Sequence, residues 1–542
     1  MATIDSMNKK KNRKNLSIWI GTSAYILFLL VCIVLYAIDY ITNVVQVESF
    51  SQFLYTMQVG MGGAGNTVVQ ILEGFALHYL FWISSATILY GAFMKAALRD
   101  RKLIKEGKRP LCSKQAIVTL NSTVLVTAIL TAAVLGYQVK QGYAALKIDD
   151  YLEEQSTIST LYEDHYVSTS DQLLKFPEKK KNLIYIYMES MESTFANAAN
   201  GGGFEDNLIP NLTQIAHENT NFKAADDPYL NGGQVTNQTS WTVAGMVAQT
   251  CGTPLGVANS QYNHSFAESM LFMPNVTSLG DVLKDQGYQN VLMCGSEASY
   301  AGRANYFRQH GDYEIIDLDA AHSSGMLPKN YHEWWGFEDS KLIAFAKDKI
   351  TDLASSDQPF NFTMLTADTH FKDGYLCPDC PDDHDEQYEN VIECSDKRIA
   401  EFVAWIQQQD FAKDTVIVLA GDHLSMDGLI NQSVGLEFPR KTYFTVINGI
   451  DYTLDQTRDY TTLDIFPTTL EAMGVQIDGH RLGLGTSLYS DQPTLCEQMG
   501  FENLNEEISH RNLRFEEEIL KDDGLEPDAP EKPVKIVKTE RG

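Results

Sequence analysis

Two apolar runs in this chain each end on groups that resist burial. Leu183-Ile184-Tyr185-Ile186-Tyr187-Met188 ends on Glu189-Ser190, and Thr415-Val416-Ile417-Val418-Leu419 ends on Ala420-Gly421-Asp422-His423. Two carboxylates and an imidazole form a mixed oxygen/nitrogen donor set that suits Mn2+, Zn2+ or Mg2+. Taken singly, a carboxylate after a strand is as readily a helix cap as a ligand. The repetition of the pattern on two strands favours a shared metal site. A site of that kind needs a nucleophile. The polar, glycine-rich loop Asn231–Trp241 leads into Thr242-Val243-Ala244-Gly245-Met246-Val247, which sets Thr242 near a helix N-terminus. Helix N–H groups and the helix dipole there favour a phosphoryl anion and a deprotonated hydroxyl, and a metal would activate the hydroxyl further. Thr239 and Ser240 are rival hydroxyls, and an N-cap role for Thr242 is the plain structural alternative. His370, in Thr366-Ala367-Asp368-Thr369-His370, is placed to move a proton or hold a phosphate oxygen. Arg303, in Tyr300-Ala301-Gly302-Arg303, is a candidate phosphate clamp.

These residues require a sheet whose strands deliver side chains to one edge. Strands are predicted over 183–187, 290–293, 313–316, 361–365, 416–419 and 442–447. Helices are predicted over 211–218, 242–249, 276–286, 339–354, 395–409 and 464–473. Very apolar strands alternating with helices indicate an α/β sheet covered on both faces. In such sheets chemistry gathers at the carboxyl ends of the strands. The segment 141–181 reads as a polar linker, and 501–542 as a charged, disordered tail. The catalytic domain is thus expected over 182–500.

The first 140 residues differ. They carry a net charge of +8, whereas the remainder carries −37, for a total of −29. The acidic excess argues against nucleic-acid binding, which needs clustered Lys and Arg. Three apolar stretches, near 16–40, 68–98 and 116–137, have the roughly 20 residues needed to cross a bilayer. Basic residues precede the first and fill the loop between the second and third, while Ile41–Asn66 has none. The positive-inside rule then puts the N-terminus in the cytoplasm and everything after Lys140 outside it. Six of the eight cysteines fall in that outer part, where disulfides persist. Cys377-Pro378-Asp379-Cys380 with Cys394 lacks a fourth zinc ligand at suitable spacing, so a disulfide stapling an acidic loop is the expectation.

The elements in this order resemble the sulfatase-like branch of the alkaline-phosphatase superfamily. They are most similar to membrane phosphoglycerol transferases of the periplasmic glucan and lipoteichoic acid synthase type. The resemblance covers Asn182–Leu488 and rests on Tyr187-Met188-Glu189-Ser190, Thr242–Ala248, Thr369-His370, Asp422-His423, Asp464-Ile465-Phe466-Pro467-Thr468 and Gly483-Leu484-Gly485-Thr486-Ser487-Leu488. It implies an alkaline-phosphatase/sulfatase-like central sheet with helices on both faces, preceded by a three-helix transmembrane segment. It also implies a divalent metal, Mn2+ foremost, held by Glu189, Thr242, Asp422 and His423. Thr242 becomes the nucleophile, His370 a catalytic and substrate-facing residue, and Arg303 a phosphoglycerol contact. The Trp and His that the resemblance expects just before Arg303 are not found around Cys294–Ala301. The implied donor is phosphatidylglycerol and the implied acceptor an envelope glycan or polymer. The alternatives are a phosphoethanolamine transferase acting on lipid A or glycan, or a sulfatase-like phosphodiesterase. Sulfate-ester hydrolysis through a formylglycine is disfavoured: Cys251-Gly252-Thr253-Pro254-Leu255 puts proline one place late and lacks the arginine.

Overall fold

The computed structural model describes residues 2–39, 50–51, 53–54, 67–106, 108, 114–169, 173–256 and 271–520. The chain divides into two units, one of residues 1–53 and 64–151, the other of residues 54–63 and 152–542. The first holds three long helices, α1 (Ala2–Asp39), α2 (Thr67–Lys105) and α3 (Lys114–Ala145). Among the described residues two segments are long and apolar enough to cross a membrane, Gly21–Ile38 and Gly74–Asp100. The third expected span, near 116–137, falls in α3, where the side chains of 114–128 lie outside the described residues.

The second unit is built on a seven-stranded mixed sheet. Its strands are β1 (Asn182–Met188), β2 (Gly232–Gly233), β3 (Gln289–Cys294), β4 (Glu314–Ile316), β5 (Phe360–Leu365), β6 (Thr415–Gly421) and β7 (Thr442–Ile447), in the order β2-β7-β6-β1-β5-β3-β4. β1 runs parallel to both of its neighbours, β5 and β6. β7 is antiparallel to β6. Alternate side chains of a strand point to opposite faces. Accordingly Leu183, Tyr185 and Tyr187 enter one core, and Ile184, Ile186 and Met188 enter the other. Helices α5 (Thr242–Cys251), α6 (Leu279–Asp285) and α10 (Ile465–Ala472) contribute to the first core. Helices α4 (Pro210–Glu218), α8 (Asp339–Ala354) and α9 (Gln387–Gln407) contribute to the second. Burial on both faces is why these strands are unbroken apolar runs rather than alternating ones. α7 (Arg303–Gln309) follows β3 and has no counterpart among the predicted elements.

Two expectations are corrected. The segment 141–181 is not a free linker over its second half. Leu161 and Tyr162 are buried in the first core, the Tyr162 hydroxyl lies 2.7 Å from Thr253 Oγ1, and Leu174–Lys175 pairs with Gln476–Ile477. Nor does folded structure stop at 500. α11 (Phe501–Ser509) and the turn Phe515–Leu520 bury Leu504, Ile508, Phe515, Ile519 and Leu520. Apolar residues at the spacing 501, 504, 508 place a stripe on one side of an otherwise charged helix, and that stripe suffices for docking. Residues 521–542 lie outside the described residues. Phe515→Ala is expected to destabilise this unit by about 3–5 kcal/mol, read as a lower denaturant midpoint. A midpoint equal to that of the unaltered protein would mean that 501–520 does not contribute to the core.

Candidate active site

The parallel neighbours β6, β1 and β5 end on the same edge of the sheet. Register pairs Met188 with Gly421, so Glu189 and Asp422 emerge side by side, and Tyr187 pairs with Leu365, which brings the 366–370 loop to the same place. Ser190 adopts φ +55° in the left-handed region, a conformation that non-glycine residues rarely hold and that concentrates at functional sites. The turn is held from both sides. Ser190 N–H donates to Asp422 Oδ1 at 2.8 Å and the Ser190 hydroxyl donates to Glu189 Oε1 at 2.8 Å. Glu189 N–H donates to Thr366 Oγ1 at 2.9 Å, and the Thr369 hydroxyl donates to the Glu189 carbonyl at 2.5 Å.

Glu189, Asp422 and His423 are all buried, and their ligand atoms lie within 4.8 Å of one another. His423 Nε2 stands 3.3 Å from Glu189 Oε1 and 3.5 Å from Asp422 Oδ2. His423 Nδ1 lies 2.7 Å from the Leu424 carbonyl, so Nδ1 carries the donated proton and Nε2 faces the carboxylates. Asp422 Oδ2 is buried and has no hydrogen-bond partner, whereas Oδ1 accepts from the Ser190 and His423 amides. A buried carboxylate oxygen left without a donor is costly in isolation. A divalent cation among these three side chains supplies the missing partner, so the residues present fit the metal expected from the sequence.

The electrostatics agree. Burial opposes ionisation of Glu189, yet the His423 and His370 imidazoles and the Ser190 hydroxyl hold its carboxyl below the ordinary range. Burial and the adjacent Glu189 charge push Asp422 up. Burial disfavours the His423 imidazolium, but Asp422 and Glu189 outweigh it and push the group up to about 10. A proton on His423 thus occupies the place of a cation.

Thr242 is the first residue of α5, and the cap position belongs to Trp241, which makes no side-chain cap bond. The plain N-cap role is therefore not what Thr242 plays. Its Oγ1 donates to Glu189 Oε2 at 3.4 Å and lies 3.4 Å from His423 Nε2. Every later residue of α5 is buried, while Thr242 is half-buried and open to a substrate. The rival Thr239 is fully buried and donates to the Thr236 carbonyl at 2.8 Å. Cys251 closes α5 two and a half turns away, and burial pushes its thiol up to about 12.

The helix can approach this edge because of Gly245. A Cβ there would stand 2.0 Å from the Asp422 carbonyl oxygen. One turn on, Gln249 Nε2 donates to the Gly421 carbonyl at 2.9 Å and its Oε1 accepts from the Tyr185 hydroxyl at 2.7 Å. Gly245→Ala is expected to push α5 off the sheet edge. Stability should fall by about 1–3 kcal/mol and turnover by roughly a hundredfold, since a shift near 1 Å at a reacting group has that effect. Comparing melting temperature with turnover separates the two. Unaltered turnover would mean that the position of α5 does not matter.

His370 is half-buried with Nδ1 2.6 Å from the Phe371 carbonyl, and desolvation lowers its pKa despite the neighbouring Glu189. The same loop is fixed by exchanged bonds between Asp339 and Asp368. Asp339 Oδ1 and Oδ2 accept from the Ala367 and Asp368 amides at 2.8 and 3.1 Å, and Asp368 Oδ1 accepts from Asp339 N–H at 3.1 Å. Tyr388 joins the 366–370 and 422–425 loops: its hydroxyl donates to the Thr369 carbonyl at 2.8 Å and lies 2.7 Å from Ser425 Oγ.

Arg303 opens α7 and is buried. Its Nη2 donates to Ser296 Oγ at 2.7 Å and to the Glu297 carbonyl at 3.0 Å, and its charge depresses the His370 pKa. Trp335, which sequence reasoning missed, has its ring centroid 4.7 Å from His370 and 5.8 Å from Tyr300. No spacing rule links a loop before α8 to His370, so only the fold reveals this aromatic wall.

Comparison with known proteins gives the following. The profile of the Sulfatase family matches residues 181–475. The chain is 34% identical over 325 residues to phosphoglycerol transferase I of Xanthomonas campestris pv. campestris, covering 58% of this chain and 43% of that protein. It is 34% identical over 326 residues to phosphoglycerol transferase I of Escherichia coli, covering 58% of this chain and 40% of that protein. The matched region is thus less than half the length of these curated relatives. Among solved structures the chain is similar to lipooligosaccharide phosphoethanolamine transferase A of Neisseria meningitidis, at 13% identity and a TM-score of 0.45, covering 83% of this chain and 84% of that one.

Proposed function

Because the chain belongs to the sulfatase family, we propose that it is a membrane-anchored phosphotransferase that moves a phosphoglycerol group from phosphatidylglycerol to an envelope glycan or polymer. The observation that carries this reading is Thr242 Oγ1, half-buried at the start of α5 and 3.4 Å from both Glu189 Oε2 and His423 Nε2. Glu189, Asp422 and His423 would hold a divalent cation, Mn2+ foremost, whose Lewis-acid charge lowers the pKa of the Thr242 hydroxyl and offsets charge on the phosphoryl oxygens. Thr242 Oγ forms a bond to the donor phosphorus. The phosphorus–oxygen bond to diacylglycerol breaks, and the threonine proton passes to the departing oxygen. His370, whose Nδ1 is committed to the Phe371 carbonyl, carries that proton at Nε2. The first N–H groups of α5 face the phosphoryl oxygens. An acceptor hydroxyl then forms the new bond to phosphorus, and its proton returns to Thr242 Oγ as the covalent glycerophosphoryl-threonine breaks. Two displacements at one residue predict ping-pong kinetics. Arg303 and the Trp335–Tyr300 wall lie beside His370 and are where a glycerol head group would be recognised.

The names of the relatives support phosphoglycerol as the group transferred, and the apolar segments of α1 and α2 suit a protein held where phospholipid is the substrate. With the basic residues flanking these segments and the third expected span near 116–137, they support an inner-membrane protein whose catalytic unit faces away from the cytoplasm. Cys251 supports transfer over sulfate hydrolysis, because the residue that a formylglycine route would use is buried at the far end of α5. Supplying the full-length protein with labelled phosphatidylglycerol and phosphatidylethanolamine separately tests the donor. Diacylglycerol release from phosphatidylglycerol is expected. Release only from phosphatidylethanolamine would overturn the head-group assignment and leave the threonine chemistry standing.

A further inference from the structure

We propose that Cys377, Cys380 and Cys394 form a thiol–disulfide exchange site in which Cys380 trades partners between Cys394 and Cys377. Cys380 and Cys394 are joined in a disulfide, and Cys377 keeps a free, buried thiol. Its Sγ lies 3.1 Å from Cys380 Sγ, and all three sulfurs fall within 4.8 Å of one another. One sulfur of the disulfide is therefore in contact with a second thiol as well as with its bonded partner. The backbone is ready for either pairing. Cys380 N–H donates to the Cys377 carbonyl at 3.0 Å, closing a Cys-Pro-Asp-Cys turn, and a Cys-x-x-Cys turn is a spacing that closes into a disulfide. α9 supplies the other arm, with Cys394 and, one turn later, Arg398. Arg398 Nη2 donates to Cys377 Sγ, and its Nη1 donates to Asp368 Oδ2 at 3.2 Å. A guanidinium thus holds the attacking sulfur in place.

The step balances without a co-reactant. Cys377 Sγ, as thiolate, attacks Cys380 Sγ. The Cys377–Cys380 bond forms, the Cys380–Cys394 bond breaks, and the electron pair leaves on Cys394 Sγ, which takes up the proton that Cys377 released. One thiol and one disulfide stand on each side of the exchange. Burial of Cys377 and Cys394, with Cys380 half-buried, suits an exchange within the chain, where no outside thiol need enter. A soft metal on the three sulfurs would first require two-electron reduction of the disulfide, and among the described residues no fourth ligand joins the group. This chemistry is independent of phosphoryl transfer.

The test is a disulfide map of the full-length protein. After oxidation, the protein is held at mildly alkaline pH, acid-quenched, unfolded in N-ethylmaleimide and digested without reductant. The expected result is two populations, Cys380–Cys394 with labelled Cys377 and Cys377–Cys380 with labelled Cys394. In Cys394→Ser, Cys377 and Cys380 are expected to be joined and unlabelled. Exclusive Cys380–Cys394 in the unaltered protein, however long it is held, overturns the proposal. So does a Cys394→Ser protein of native circular dichroism in which both remaining cysteines take label, and so does a reduced protein carrying one metal ion on three thiols. Should Cys394→Ser not fold, the map of the unaltered protein decides alone.

Discussion

Thr242→Ala is expected to lower transfer by about four orders of magnitude or more, because it removes the hydroxyl to which the proposed mechanism attaches the phosphoryl group. The fold should not notice. The Thr242 hydroxyl makes two long contacts of 3.4 Å, and the rest of α5 is buried without its help. Alanine also favours a helix more than threonine does, so stability should change by less than about 0.5 kcal/mol. Mass spectrometry of the unaltered protein quenched with donor lipid and no acceptor should show a glycerophosphoryl adduct on the peptide containing Thr242, absent from the variant. Thr242→Ser, which keeps a hydroxyl at the same place, should retain part of the activity. Diacylglycerol release by Thr242→Ala at the unaltered rate would remove the residue from the chemistry and return attention to Ser240.

The second large effect concerns the cation. In its absence Asp422 and Glu189 push His423 up to about 10, so at neutral pH the imidazole must lose a proton before it can act as a ligand. Metal binding is therefore coupled to proton release. The sign is definite: affinity rises with pH, about tenfold per unit for each proton displaced, until pH exceeds the His423 value. Titration calorimetry with Mn2+ in buffers of different ionisation enthalpy should count about one proton released near neutral pH, and chelation should abolish turnover. Asp422→Asn isolates the charge. Its Oδ1 can still accept from the Ser190 and His423 amides, while the partnerless Oδ2 becomes an amide that cannot bind a cation. Mn2+ affinity should fall more than about a hundredfold, beyond the loss typical of residues that merely support a ligand. An affinity that is flat with pH, or unaltered in Asp422→Asn, would show that the three side chains hold no metal.

The strands were legible because burial on both faces leaves a signature that needs no tertiary knowledge. β1 and β6 read as unbroken apolar runs, and the polar residues that end them mark the sheet edge. Six strands and six helices anticipated from the sequence have counterparts in the fold, displaced by a residue or two at most ends. α9 departs furthest, beginning at Gln387 rather than Ser395 because Tyr388, Val391 and Ile392 extend its buried face through a charged stretch. The same masking by charge hid α11 and the Phe515–Leu520 turn. The proximity of Glu189, Thr242, Asp422 and His423 followed from strand ends and a helix start. Trp335, the Asp339–Asp368 exchange and the Tyr388 bridge did not, because they join loops far apart in sequence through backbone amides and ring contacts. A staple in the acidic loop was foreseen, but the partner of Cys380 depends on where α9 places Cys394.

The central position of β1 also bears on how the protein matures. The amide of Ser190 meets a carboxylate 232 positions further along the chain, and the two ligand-bearing strands share hydrogen bonds only after β6 has been made and added beside β1. Pairings so distant in sequence form late and slowly. A nascent or half-exported chain therefore offers no more than isolated carboxylates and a solitary histidine, which capture cations weakly. A cation held by these side chains would therefore be acquired in the compartment where the sheet closes, from whatever ions that compartment contains.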